Sequence, residues 1–299
     1  MTLRVGYIGA GVMGAGIVKN LRKHGFPVSF VVHSNRARVP ELVAAGAVEV
    51  ADYPALAAAS DVVMLTVPDS SVVEPLLLGP DGIGPHLRSG QYVIDLSTSY
   101  PASTRNIAEV LGRRGIIVLD APLTGSRSHA EAGKLNVMCG GPAEAFEHVR
   151  PLFDAIAANV FHVGAVGAGH TIKLINNYLG QVTVAAICEI LPFAQKSGVS
   201  LKSLYDVVSV SGGNSNQFQG LLPRVMKRDF SINFQQKYVH KDIRYVTMAA
   251  RESRVPTPLA NALLTVHDMA LDKGYGDEDF SGLLKFWEEM SGVVVAGGE

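Results

Sequence analysis

The segment Gly167-Ala168-Gly169-His170-Thr171-Ile172-Lys173-Leu174-Ile175-Asn176-Asn177 places a lysine and two asparagines at i, i+3 and i+4. On a helix these three side chains leave from one face. Polar groups in an otherwise apolar helix are expensive to bury, and adjacent asparagines are poor helix formers, so the spacing calls for a use. One use is acid–base chemistry. A lysine ammonium can donate a proton to an oxygen on which negative charge develops, and the neutral amine can take it back. A nearby cation or burial lowers the lysine's proton affinity toward the working range. The other reading is a surface ion-pair lysine beside hydrogen-bonding asparagines, and this segment alone leaves both open.

A second constellation follows the first apolar run. Gly9-Ala10-Gly11-Val12-Met13-Gly14 has the spacing of a dinucleotide-binding turn. Gly9 permits the tight turn, Gly11 lets the backbone approach a pyrophosphate, and Gly14 lets the following helix pack on the strand. The free N–H groups and positive dipole end of that helix, which begins at Val12 and Met13, would hold the phosphates. An NAD-specific site normally carries Asp or Glu about 20 residues further on, at the end of the second strand. Here that place reads His33-Ser34-Asn35-Arg36, with no carboxylate. Arg36 could pair with a ribose 2′-phosphate while Ser34 and Asn35 donate to it. This favours NADP over NAD, the alternative being a solvated polar turn.

These residues need elements to hold them. Short Val- and Ile-rich runs at Leu3–Ile8, Val28–Val32, Asp61–Val67, Tyr92–Leu96 and Ile116–Leu119 alternate with helical stretches at Met13–His24, Val39–Ala45 and Ser103–Arg113. Continuous apolar runs of this kind suit parallel strands buried on both faces. Their alternation predicts an α/β fold with a Rossmann-type doubly wound sheet, extended by Leu135–Cys139 and Val160–Val163. After Gly164 the pattern turns helical, with one long helix over Ala168–Lys196 whose Pro192 kinks it or marks its last turn. Further helices are expected at Leu201–Val210, Gln217–Met226, Tyr238–Glu252 and Pro258–Lys273. The expected domains are a dinucleotide-binding domain over 1–164 and an all-helical C-terminal domain over 165–299, joined by the long helix.

Composition narrows the function classes. The chain has 299 residues, a formal net charge of -1, 47% hydrophobic and 18% charged residues. That near-neutral balance gives no reason to expect a nucleic-acid partner. Two distant cysteines, Cys139 and Cys188, make no disulfide or metal framework. His129, His170 and His240 lack metal-ligand spacing, so no metal is expected. No secretory leader is evident, and no uninterrupted apolar run reaches the roughly 18–20 residues of a membrane span. A cytoplasmic protein without membrane attachment is expected.

Four blocks together resemble the β-hydroxyacid dehydrogenase family, which includes 3-hydroxyisobutyrate dehydrogenase, tartronate semialdehyde reductase and the glyoxylate/succinic semialdehyde reductases. They are Gly9–Gly14 continuing to Asn20-Leu21; Asp120-Ala121-Pro122-Leu123-Thr124-Gly125 with Ala130, Gly133, Leu135 and Gly140-Gly141; the Gly167–Asn177 segment; and Lys241-Asp242. The resemblance implies Lys173 as the catalytic acid and base, and Asn177 as a substrate-positioning residue. It implies that Thr124, Gly125 and Ser126 bind a substrate carboxylate, which suits a turn of exposed N–H groups. By the same analogy Val67 and Pro68 line the adenosine side, Thr98 lies by the nicotinamide, and Lys241 lies near cofactor or substrate. Lys241 could equally form a helix-face ion pair with Asp242. The implied reaction is hydride transfer between NADP(H), or NAD(H), and a small hydroxy acid and its carbonyl partner. The family also implies a homodimer or homotetramer assembled through the helical domain.

Many members have Ser-Gly-Gly where this chain has Thr124-Gly125-Ser126, and Gly-Ser followed by Arg127 looks more like the glyoxylate/succinic semialdehyde reductase branch. Two rival functions fit the same architecture. One is an imine reductase, against which Lys173 with Asn177 argues, because the imine reductases that resemble this chain usually carry Asp or Tyr in place of that lysine. The other is a non-catalytic cofactor-binding module, from which the lysine would be expected to be missing.

Overall fold

The computed structural model describes residues 2–33 and 35–296. It divides into two compact units, residues 1–173 and 174–299. In the first, strands and helices follow in the order β1 (Val5–Ile8), α1 (Val12–Lys23), β2 (Val28–Val31), α2 (Val39–Ala44), β3 (Val48–Glu49), α3 (Tyr53–Ala58), β4 (Val62–Leu65), α4 (Ser70–Leu78), β5 (Tyr92–Asp95), α5 (Pro101–Gly112) and β6 (Ile117–Asp120). Then come β7 (Leu123–Thr124), α6 (Arg127–Ala132), β8 (Leu135–Gly140), α7 (Ala143–Asp154) and β9 (Ala157–Gly164). Helix α8 (Ala168–Lys196) begins in the first unit and continues in the second.

Among the described residues the strands form one sheet in the order β3-β2-β1-β4-β5-β6-β8-β7, with β9 also on β8. From β3 to β6 every neighbouring pair is parallel, and the register sets Ile8 beside Val31 on one side and Leu65 on the other. This is a doubly wound sheet whose direction of winding reverses between β1 and β4. Ligands bind such sheets at the carboxyl edge of that reversal. β8 meets β6 antiparallel at Asp120↔Gly140, and β7 folds back on β8 as a short antiparallel pair.

Strand alternation explains how one sheet serves two cores. Tyr7, Met64, Ile94 and Leu119 pack with Ile17, Leu21, Phe146 and Phe153 in one core cluster. Their neighbours Ile8, Leu65, Val93 and Val118 pack with Leu56, Leu77, Ile107 and Leu111 in another. β1 and β4 are buried at every position. Each such side chain contributes about 1.5–3 kcal/mol on burial, so this double coverage outweighs local propensity in holding the strands. Helices α3 and α4, absent from the sequence expectation, start where Asp52 and Asp69 accept the N–H groups of Ala55 (2.8 Å) and Ser71 (2.9 Å). An aspartate at the cap is a local signal that was available in the sequence.

The second unit contains the rest of α8, α9 (Leu201–Val208), α10 (Asn216–Met226), α11 (Gln236–Glu252), α12 (Pro258–Asp272) and α13 (Leu283–Ser291). Its core gathers Val184, Cys188, Leu191, Leu221, Leu222, Ile243, Leu284 and Phe286. Burial pushes the Cys188 thiol up to about 12 and raises Cys139 as well, so neither free thiol is a nucleophile near neutrality. Pro192 lies within α8, one turn before its end. By length and mean hydropathy, 1.3 over 18 residues, α8 is long and apolar enough to cross a membrane. Lys173, Asn176, Asn177, Gln181 and Glu189 stand among its apolar residues.

His267 on α12 is 1% exposed, and neither ring nitrogen has a hydrogen-bond partner among the described residues. Burial, followed by the nearby His240, lowers its pKa from 6.5 to about 4, against a smaller opposing effect of Asp268. The unfolded chain therefore binds this proton near pH 6.5 and the folded chain only near pH 4. The associated stability is complete above about pH 6.5 and is lost as the pH falls toward 4, by about 3 kcal/mol in all. Urea unfolding of His267→Leu is expected to show a clearly smaller stability loss between pH 7.5 and pH 5 than the parent. Equal losses in the two proteins would assign acid sensitivity elsewhere.

Candidate active site

β1 ends at Ile8, and the chain turns through Gly9 at φ +87° into α1. A Cβ on Gly9 would lie 2.1 Å from the Thr66 carbonyl oxygen, and one on Gly14 would lie 2.3 Å from the Gly9 oxygen. Both glycines are demanded by close backbone approach. A Cβ on Gly11 would meet nothing within 4 Å, so that glycine faces open space. Val12 is exposed, whereas the Met13 side chain packs against the sheet core. The first amides of α1 have no acceptor within the helix, and its dipole favours an anion there. Open space over Gly11 beside a helix start fits a pyrophosphate.

A cavity of about 600 Å³ opens beside this loop. Its walls include Gly9, Gly11 and Val12, then Val32, His33 and Asn35 after β2, Arg38, Glu41 and Leu42 of the α2 region, and Tyr53. Ser34 lies outside the described residues. Arg36 is not among the lining residues; it is exposed and makes a two-pronged ion pair with Glu49, at 3.0 Å for each contact. Arg38 is the guanidinium in the wall, 2.7 Å from Glu41. Lys19 of α1 bonds Glu41 at 3.1 Å and Glu131 of α6 at 2.5 Å. Arg38 and then Lys19 hold the Glu41 carboxyl below its ordinary range, so the wall carries opposite fixed charges side by side. A carboxylate is thus present where the strand-end sequence showed none. It comes from α2, beyond the reach of a spacing rule.

The carboxyl ends of β4, β5 and β6 carry the next group of residues. The Val67 N–H donates to Ser97 Oγ at 3.0 Å, which ties the loop of Val67 and Pro68 to that of Thr98. None of these three residues lines the cavity. Asp120 ends β6 with no solvent exposure, and its carboxylate accepts the N–H groups of Gly167 (2.7 Å) and His170 (2.8 Å) at the start of α8. Lys173 follows on α8, one turn further along, and is partly buried.

Four residues past Asp120 the chain enters the turn of Thr124, Gly125 and Ser126. Thr124 Oγ1 accepts from Asn136 Nδ2 at 3.0 Å, and Gly125 sits at φ +130°. The Ser126 N–H donates to His129 Nδ1 at 3.1 Å, and the Ser126 hydroxyl lies 2.7 Å from the same nitrogen. His129, which the sequence marked only by its lack of metal-ligand spacing, therefore closes this turn. The turn is held on α1 by Asn20, whose side-chain amide bonds the carbonyls of Ala130 (2.9 Å) and Glu131 (3.1 Å) on α6. Gly125 and Ser126 are exposed.

In the second unit, Asn177 Nδ2 donates to Asp242 Oδ2 at 2.6 Å, and the ammonium of Lys241 lies 2.9 Å from Asp242 Oδ1. Asp242 is 1% exposed and Lys241 is buried over the Tyr245 ring. The carboxylate fixes the amide orientation of Asn177, since it can only accept. The ion pair between Lys241 and Asp242 is present. Among the described residues no group of acidic, histidine or cysteine side chains is arranged to hold a metal.

Known proteins extend these observations. Residues 4–164 match the family described as the NAD binding domain of 6-phosphogluconate dehydrogenase, and residues 167–287 match that described as NAD-binding of NADP-dependent 3-hydroxyisobutyrate dehydrogenase. The chain is 32% identical to 2-(hydroxymethyl)glutarate dehydrogenase of Eubacterium barkeri, covering 100% of this chain and 99% of that one. It is 34% identical to NAD-dependent L-serine dehydrogenase of Pseudomonas aeruginosa, over 97% and 99% of the two chains. The crystal structure of 3-hydroxyisobutyrate dehydrogenase from Salmonella typhimurium superposes with a TM-score of 0.84 at 31% identity, covering 95% of this chain and 99% of that one.

The glycine geometry separates two roles within one loop. Gly9→Ala is expected to lower the melting temperature by several degrees, since it combines a positive φ with a backbone clash. Gly11→Ala should leave melting unchanged and weaken NADPH binding, measured by nucleotide fluorescence, by about tenfold or more, since its Cβ would enter only the space assigned to phosphate. Unchanged binding in folded Gly11→Ala would remove the phosphate from that space.

Proposed function

Since the chain belongs to the β-hydroxyacid dehydrogenase family and is on that ground an NAD(P)-dependent hydroxyacid dehydrogenase, we propose that its substrate is a short 3-hydroxy acid and the corresponding aldehyde acid. Lys173 is the proposed general acid and base. The observation that carries this reading is the anchoring of α8: Asp120 holds the helix start that presents Lys173, on the strand that leads directly into the Thr124-Gly125-Ser126 turn. Relatives named for 2-(hydroxymethyl)glutarate, L-serine and 3-hydroxyisobutyrate support the substrate class, since each of these acids carries a hydroxymethyl group on the carbon next to its carboxylate.

In this reading the Thr124 hydroxyl and the exposed amides of Gly125 and Ser126 take the substrate carboxylate. The Lys173 ammonium donates a proton to the substrate oxygen as the aldehyde is reduced and withdraws it when the alcohol is oxidised. Asn177, its amide turned by Asp242, orients the substrate. When bound, the nicotinamide supplies or accepts the hydride. The Gly9–Gly14 loop holds the pyrophosphate, and His33, Asn35 and Arg38 surround the adenosine ribose, with Val67, Pro68, Thr98 and Lys241 as the further cofactor contacts. NADP is the proposed cofactor, with NAD accepted less well. Arg38, rather than the Glu49-paired Arg36, reads the 2′-phosphate. The exposed side chains of Leu179, Ile190 and Phe193 along α8 support a second copy of the chain as its cover, in a homodimer or homotetramer.

NADPH oxidation followed with glyoxylate, succinic semialdehyde, tartronate semialdehyde and methylmalonate semialdehyde should reveal turnover of at least one. Lys173→Ala should lower kcat about 10²-fold or more; an unaffected mutant would end its proton-transfer role. In the same assay Arg38→Ala should raise KM for NADPH roughly 10-fold with little change for NADH, while Arg36→Ala stays within about 2-fold. The reverse ranking would return the phosphate to Arg36.

A further inference from the structure

The start of α8 is held more firmly than a helix cap requires. Asp120 already takes up two of its unpaired amides, which satisfies the local need. Yet the next side chain, His170, is itself wholly buried and bonded at both ring nitrogens. Its Nε2 lies 3.2 Å from the Ser97 carbonyl oxygen, and its Nδ1 lies 2.8 Å from the Thr104 hydroxyl. A carbonyl can only accept, so Nε2 carries a hydrogen toward Ser97, while the Thr104 hydroxyl bridges Nδ1 and the Tyr100 carbonyl oxygen, 3.2 Å away. Thr104, on α5, is 2% exposed. An apolar side chain would be cheaper to bury here than an imidazole that needs both partners. The arrangement therefore does something that packing alone does not ask for.

What it fixes is rotation. A cap sets where the helix begins, but two further bonds from one ring, to the end of β5 and to α5, also set which way the first turn faces. Lys173 is three residues beyond His170 and leaves from nearly the same side of the helix. At a side-chain radius of about 5–6 Å, a helix rotation of roughly 10° moves that side by about 1 Å, and a displacement of that size can cost on the order of 10²-fold in rate. Ser97, which receives Nε2, also receives the Val67 N–H through its hydroxyl and is followed by Thr98. One buried network thus links the loops of Val67 and Thr98 with the first turn of α8, one turn before Lys173.

We propose that His170, braced by Thr104 and Ser97, is a positioning residue that sets the direction of Lys173 relative to the loops at the ends of β4 and β5. The inference rests on Lys173 being the proton-transfer residue. Neither His170 nor Thr104 touches substrate; both act through the helix.

Thr104→Val removes one hydroxyl at constant shape, Thr104→Ser keeps it, and His170→Phe removes both ring bonds. In Thr104→Val and His170→Phe, kcat is expected to fall about 10-fold or more. KM for the aldehyde acid and the fluorescence-measured Kd for NADPH should stay within about 2-fold, and the solvent deuterium isotope effect on kcat should rise. Thr104→Ser should restore kcat. In the ligand-free proteins, hydrogen exchange of the first turn of α8 should quicken in His170→Phe while the core strands stay protected. Parent-like kcat in folded Thr104→Val and His170→Phe would overturn the proposal, as would equal losses in Thr104→Val and Thr104→Ser. Lys173→Ala, assayed alongside, separates the two failures. If it abolishes turnover while the brace variants do not, only the brace falls; if it retains turnover, the role of Lys173 falls and the brace with it.

Discussion

A carboxylate removed entirely from solvent cannot stand alone, and Asp120 shows what surrounds one when it is kept. Its two oxygens are filled by amides from the start of α8, which brings an anion to the positive end of a long helix dipole. The fit leaves no slack: a Cβ on Gly140 would lie 2.6 Å from one oxygen and a Cβ on Gly169 2.9 Å from the other. The glycines around this carboxylate are therefore spacing requirements. Removing the carboxylate would strand two buried amides, and enlarging either glycine would push α8 away. The helix that carries Lys173 starts where it does because β6 ends where it does.

The sheet makes this anchoring useful. In a doubly wound parallel sheet the strands all end on one edge, and each loop there is displayed beside its neighbours. Ile8, Leu65, Asp95 and Asp120 close four consecutive parallel strands. The glycine loop, the Val67 and Thr98 loops, and the α8 start are thus gathered by topology before any side chain is chosen. Polar side chains then join them: Ser97 to Val67 and His170, and Asn20 across from α1 to α6. Buried networks of this kind are rigid because every member is satisfied.

In the helical unit the same logic appears at smaller scale. Asp242, nearly without exposure, lies between the amide of Asn177 and the ammonium of Lys241. A lone buried carboxylate would be costly, and an unpaired buried ammonium equally so; together, with the amide between α8 and α11, they are tolerated. The polar residues that looked expensive on a helix face in the sequence are thus accounted for in part by one another.

How much of this was legible beforehand follows from the range of each interaction. The glycine spacing, the apolar runs of the sheet and the long, largely apolar helix are local patterns, and the chain alone determined the fold class, the nucleotide loop and the interest of Lys173 and Asn177. The short helices α3 and α4 were also written locally, in Asp52 and Asp69, though as weaker signals. The polar wall of the cavity beside the glycine loop was not. Arg36 and Arg38 are two residues apart and chemically alike, and only the positions of Glu49 and Glu41 in space send one outward and the other into the cavity wall. His170 likewise read as an isolated histidine, because Ser97 and Thr104 lie far away along the chain. Sequence determines which elements form through near-neighbour periodicity and backbone freedom. Which charge meets which, and which ring braces which helix, is decided by strands and helices brought together from distant parts of the chain, and that was settled only in the tertiary structure.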